Sequence, residues 1–227
     1  MNDQYTLAIE GATYEGSVAL LLGARVVSER VLKEEDGSLP RAGRGERLMP
    51  AIAECLAESG VERGGIARIV CGSGPGSFTS LRVAGSVAKG LAAGYGVELY
   101  AVSSLLLIVA GAKPPLPSGE YLAVLDAMRG EFYAARITLS QGTPTQIEAP
   151  AIIPREQLEE RALGPSLKVV GPGREIDVSP HARGVATLLD SIIEAGPVEI
   201  ASWEPDYGRL AEAQVRWEAA HGRKLTT

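Results

Sequence analysis

Ala67-Arg-Ile-Val-Cys71, then Gly72-Ser-Gly-Pro-Gly76, then Ser77-Phe-Thr-Ser-Leu-Arg-Val-Ala-Gly-Ser-Val-Ala-Lys-Gly-Leu-Ala-Ala93 is the stretch that decides the fold. The first piece is a short apolar run suited to a strand. The second holds too much glycine and proline to continue it. In the third, Leu81, Ala84, Val87, Ala88 and Leu91 fall on one face at helical spacing. Strand, glycine loop and helix therefore follow one another, and Val97 to Val102 returns as a further strand.

Upstream, Leu48, Ile52 and Leu56 recur every four residues within Glu46 to Ser59, with Met49 and Ala53 beside them, which predicts an amphipathic helix closed by Gly60. Tyr5 to Ile9, Gly16 to Leu22 and Val26 to Leu32 read as strands, the last two joined by a turn at Gly23-Ala24. Three antiparallel strands followed by helix, strand, helix and strand spell a mixed sheet with helices against it, the order of a ribonuclease-H-like half. Lys113-Pro-Pro-Leu-Pro-Ser-Gly119 is the clearest linker, because prolines forbid regular pairing there. It divides the chain into subdomains of residues 1–112 and 113–227. In the second, Tyr121 to Asp126 and Glu131 to Leu139 form a hairpin around Met128-Arg-Gly130, and helices are expected over Arg155 to Ala162 and Arg183 to Ala195. Glu199 to Lys224 mixes acids and bases around Leu210, Ala213 and Trp217 and reads as a docking helix that packs back on the first subdomain.

The chain has 227 residues, 45% of them hydrophobic, enough to bury a sizeable core. A net charge of −6 and a pI near 5.1 give no electrostatic footprint for nucleic acid, so any RNA role is expected to be indirect. Cys55 and Cys71 form no CxxC pair and read as buried, reduced thiols. The N-terminus lacks the layout of a signal peptide. The longest apolar run, Leu105 to Ala112, is far shorter than the ~20 residues of a membrane crossing. A soluble, cytoplasmic protein is expected.

A glycine loop ahead of a helix is a place where backbone N–H groups converge on an anion, with Ser77 as a candidate cap of the first turn. The loop has neither GxxxxGK[ST] nor GxGxxG, so a tight turn that permits close helix packing is the competing reading. Ala84, Gly85, Ser86, Ala88, Gly90, Ala92 and Ala93 make the helix slim, which suits the protein's own core or a partner interface equally. His181 and His221 stand forty positions apart, so no His-x-x-x-His metal pair exists. Each reads as an ordinary surface histidine. The elbow GxSxG of a serine hydrolase is also missing, which leaves a peptidase without support.

Gly72 to Ala92, running on to Ala101-Val-Ser-Ser-Leu105, resembles the signature of the TsaB (YeaZ) family, the accessory subunit of bacterial tRNA threonylcarbamoyladenosine formation. Glu46-Arg-Leu-Met-Pro50, Leu125-Asp-Ala-Met-Arg-Gly-Glu-Phe-Tyr133 and Glu204-Pro-Asp-Tyr-Gly-Arg209 extend the resemblance over nearly the whole chain. It implies an α/β, actin-like (ASKHA, ribonuclease-H-like) fold of two related subdomains, with mixed sheets flanked by helices. It also implies a non-catalytic scaffold that binds a catalytic TsaD-type paralogue, joined by a TsaE-type ATPase, and that forms a homodimer when alone. The expected partner surface is Leu48, Met49, Ile52 and Leu56 of the first helix with Ala84, Val87, Ala88 and Leu91 of the second. The chain itself requires no cofactor or metal, while ATP or ADP and Mg²⁺ belong to the assembled complex, tRNA is touched only indirectly, and no membrane is involved. Nucleotide-using relatives open with a strand ending in Asp and a small hydroxyl residue, whereas here Ile9 leads into Glu10-Gly-Ala-Thr13, a degenerate site. The alternative is an ATPase-like enzyme with Glu10, Gly74, Gly76 and Ser77 around phosphate and Mg²⁺ between the subdomains.

Overall fold

The computed structural model describes residues 4–32, 44–164, 167–209 and 221. Tyr5–Glu10 (β1), Ser17–Leu22 (β2) and Arg25–Val31 (β3) form the antiparallel opening, with Leu7 opposite Leu20 and Leu20 opposite Ser28. Arg44–Glu58 (α1), Ile66–Gly72 (β4), Phe78–Tyr95 (α2) and Glu98–Val102 (β5) follow, and β4 and β5 add to β1 in parallel. The five strands lie in the order β3-β2-β1-β4-β5.

Because side chains alternate along a strand, β1 and β2 feed two cores. Leu7, Ile9, Val18 and Leu20 face α1 and α2, whereas Ala8, Ala19, Leu21 and Val70 face the other way. The second face is covered by Ser104–Ala110 (α3) and by Val185–Ala195 (α5), through Leu107, Leu188, Leu189 and Ile192. A segment far beyond the proline linker thus completes the first sheet's core.

Gly119–Asp126 (β6), Glu131–Ser140 (β7), Thr143–Gln146 (β8), Ala151–Pro154 (β9), Arg155–Ala162 (α4) and Leu167–Val170 (β10) build the second sheet, ordered β10-β6-β7-β8 with β9 also on β7. The β6–β7 hairpin turns through Met128 and Arg129, both at positive φ (66° and 59°), and the Met128 N–H donates to Asp126 Oδ1 at 2.7 Å.

Several elements depart from the sequence reading, among them the unanticipated strand β10. The run 104–110 is a buried helix, hidden because an unbroken apolar run carries no period. Strands β8 and β9 were not anticipated. β8 is an edge strand, where Pro144 removes no ladder hydrogen bond that a neighbour needs. The docking helix expected over 199–224 is absent from its described part, since residues 199–209 are not helical; the remainder, apart from residue 221, lies outside the described residues. Among the described residues no helix is long and apolar enough to cross a membrane.

Candidate functional site

The glycine loop spans residues 73–77 between β4 and α2, and the N–H groups of Ser73, Gly74 and Ser77 are engaged. Ser73 N–H donates to Val102 O at 2.7 Å, and Gly74 N–H donates to Ser104 Oγ at 3.1 Å. Ser77 N–H donates to Ala12 O at 2.7 Å. The carbonyls of Ser73 and Gly74 accept from Asp206 N–H (2.7 Å) and Ser104 N–H (2.9 Å). A Cβ on Gly74 would run into the backbone of Asp206, and one on Gly76 into Ala12. The loop is glycine-rich because other segments press on it, the close-packing reading. Ser77 does not cap α2 by its side chain as expected; its Oγ pairs with Ser80 Oγ at 3.1 Å.

Glu10 lies behind this loop, 1% exposed. Oε1 accepts the Ala12 N–H at 2.5 Å and Oε2 accepts the Ser104 hydroxyl at 2.9 Å. A side chain at Gly72 would collide with Oε2. Burial pushes the Glu10 carboxyl up from 4.5 to about 7, against the lowering pull of the Ala12, Ser104 and Gly11 donors. The same burial raises the neighbouring Cys71 thiol, which stays protonated and inert. The four residues of the nucleotide alternative are therefore close together, yet Glu10 and Gly74 converge on Ser104, and Gly76 and Ser77 on Ala12. The polar groups of Glu10, Gly74 and Ser77 serve the chain's own turns. Ser104, which joins the carboxylate to the loop, was missed, since its contact with Glu10 spans 94 positions.

The helical surface expected to meet a partner divides in two. Leu48, Ile52, Leu56, Ala84 and Ala88 are buried in the chain's own core against β1, β2 and β4, so a partner cannot reach them. Their smallness at Ala84 has an internal use: a Cβ on Gly11 would come within 2.6 Å of the Ala84 Cβ, so the end of β1 rests on α2. Val87 and Leu91 are partly buried against that core, and Met49 is 46% exposed. Exposed uncharged residues lie outward of them, Met49, Ala53 and Ala57 on α1 and Ser86, Gly90, Ala93 and Gly94 on α2, with Arg82 and Lys89 beside the latter. The nearby Glu54 and Glu58 of α1 turn to Arg30 of β3, at 3.1 and 3.0 Å.

Residues 203–209, expected to lie within a docking helix, form an irregular strap instead. A Cβ on Gly85 would sit 3.0 Å from Pro205 Cγ, Lys89 Nζ donates to Trp203 O at 2.8 Å, and Tyr207 stacks on Phe78 with ring centroids 4.6 Å apart. Tyr133 donates to Tyr207 O at 3.0 Å, and Arg209 pairs with Glu131, which ties α2 to β7. His181 also differs from expectation. It is buried, not on the surface; its Nδ1 accepts the Arg183 N–H at 3.0 Å, and burial lowers its pKa to about 4.

A family model described as "TsaD: tRNA N6-adenosine threonylcarbamoyltransferase" matches residues 22–175. YeaZ from Pseudomonas aeruginosa superposes with a TM-score of 0.73 at 26% identity, over 89% of this chain and 98% of that one. The chain belongs to the TsaB (YeaZ) family. The tRNA threonylcarbamoyladenosine biosynthesis protein TsaB of Bacillus subtilis (strain 168) is 26% identical over 93% of this chain and 96% of its own length. The TsaB of Escherichia coli (strain K12) is 31% identical over 68% of this chain, a match that spans 64% of that protein. With these relatives, the two mixed sheets and their helices are the actin-like α/β fold of the TsaB (YeaZ) family, with two subdomains.

Proposed function

We propose that this chain is a non-catalytic docking subunit in the formation of N6-threonylcarbamoyladenosine on tRNA, binding a TsaD-type catalytic paralogue through the outer strip of α1 and α2. The observation that carries the reading is the state of the glycine loop. A phosphate cradle needs unengaged N–H groups, and here those of Ser73, Gly74 and Ser77 are held by Val102, Ser104 and Ala12. Glu10, at the place of the usual catalytic carboxylate, is sealed behind the loop. What remains for function on this side is the uncharged surface of Met49, Ala53, Ala57, Ser86, Gly90, Ala93 and Gly94, whose small residues let another helix approach closely.

The same strip serves self-association when the paralogue is absent, and the two partners compete for it. A TsaE-type ATPase, ATP or ADP and Mg²⁺ enter with the assembled complex; tRNA is met through the paralogue, and the complex works in the cytoplasm. The reading divides the chain at residues 1–112 and 113–227, with α5 crossing back onto the first sheet.

Gly90→Glu tests the reading, since a Cβ at Gly90 meets nothing within 4 Å and the position is exposed. The variant should melt like the parent and lose co-purification with the paralogue, because a desolvated carboxylate at a helix contact is costly. Undiminished co-purification of both Gly90→Glu and Ala53→Glu overturns it. ATP turnover by the isolated chain overturns the non-catalytic part separately.

A further inference from the structure

We propose that the cavity between α4 and β10 binds a small organic oxyanion, a phosphate or carboxylate carried on a compact apolar body. The cavity has a volume of about 390 Å³, the size of a small-molecule site. It lies on the outer side of the second sheet, away from α1, α2 and the glycine loop, and neither the family fold nor the docking role accounts for it.

Three cationic residues line it from three different segments: Arg155 at the start of α4, Lys168 of the edge strand β10, and Arg174 of the following loop. Elsewhere several arginines are neutralised by carboxylates. Arg30 is paired with Glu54 and Glu58, Arg136 with Glu120 and Glu148, Arg183 with Glu29, and Arg209 with Glu131. At the cavity two guanidiniums instead lie over one aromatic ring: Arg174 is 4.5 Å and Arg155 5.5 Å from the Phe132 centroid. That ring is buried, so it holds both forks in place without neutralising them. Arg174 Nε is itself shielded from solvent and donates to no group of the chain, an orphaned donor of the kind a ligand satisfies.

The rest of the wall sets the ligand's body. Leu158, Leu167 and Val169 give it an apolar side. Glu159 and Glu175 stand at the wall without bonding the cations, which leaves one net positive charge and disfavours polyanions such as nucleoside triphosphates. Planar guanidiniums match carboxylate and phosphate oxygens two at a time. A single oxyanion on an aryl or short alkyl body satisfies all these features.

The test uses the whole chain, ¹⁵N-labelled, titrated with phenyl phosphate, benzoate and, as the uncharged control, benzyl alcohol. At least one anion should shift the amides of residues 167–169 and 174–175 saturably at roughly millimolar concentration, while benzyl alcohol does not. Which anion is tighter identifies the head group. Arg174→Ala should weaken that binding about tenfold, as loss of one charge-assisted contact does. Lys168→Gln, at an exposed position, should weaken it without touching the packing around Phe132. The proposal is overturned if neither anion saturates at these amides, if benzyl alcohol binds as well as the anions, or if both well-folded variants bind like the parent.

Discussion

Replacing Glu10 with Gln should remove a pH dependence of stability that the parent carries. The carboxyl is 1% exposed, accepts from Ala12 and Ser104, and is pushed by burial from 4.5 to about 7. A folded-state value above the unfolded one means that the folded chain holds the proton more tightly. The stabilising contribution is therefore complete below about pH 4.5 and is lost progressively as pH rises to about 7. The shift corresponds to on the order of 3 kcal/mol. Gln keeps the shape and an acceptor for the Ala12 N–H, but it cannot ionise. Urea unfolding of both proteins at pH 5 and pH 8, with the difference taken at each pH so that all other titrations cancel, isolates this one group. The parent should lose about 2.5 kcal/mol relative to the variant between the two pH values, pH 5 lying already above the unfolded value. Parallel stability curves would refute the assignment of a buried, strained carboxylate, and a parent that gains on the variant with rising pH would reverse its sign.

Other substitutions test the packing. Gly11→Ala forces a methyl against Ala84 and should cost about 1–3 kcal/mol, read as a fall in Tm. Gly208→Ala drives a methyl into the Tyr133 ring and should free the 203–209 strap, seen as faster proteolytic cleavage there. Met128→Gly relieves a left-handed residue at an exposed turn and should raise stability by about 0.5–1 kcal/mol in thermal unfolding. Because the folded value of His181 is depressed to about 4, His181 contributes stability above about pH 6.5 that is lost as pH falls towards 4. His181→Asn should flatten that acid limb in a denaturant series.

Local patterns made much of the fold legible. The strand, loop and helix from 67 to 93 and the hairpin at Met128 are written in neighbouring residues, where period and turn chemistry act. The helix 104–110 was not, because burial on all sides erases the period that marks a helix. The inward stripe of α1 and α2 was readable as apolar spacing, yet the same spacing describes a core face and a partner face. Only the fold shows that Leu48, Ile52, Ala84 and Ala88 are taken by β1, β2 and β4, which moves any docking surface outward to Met49, Ala53 and Gly90. Ser104 and the strap at 203–209 were invisible for a different reason: their contacts with Glu10 and Gly85 join positions about a hundred residues apart, where no short-range rule operates.

Amide hydrogen exchange of this chain, alone and mixed with its TsaD-type paralogue, tests the docking role most directly. New protection should appear in residues 49–57 and 86–94, with Ser73, Gly74 and Ser77 of the glycine loop unchanged because their N–H groups are already bonded. Protection confined to other surfaces, or to that loop on addition of ATP, would contradict the account.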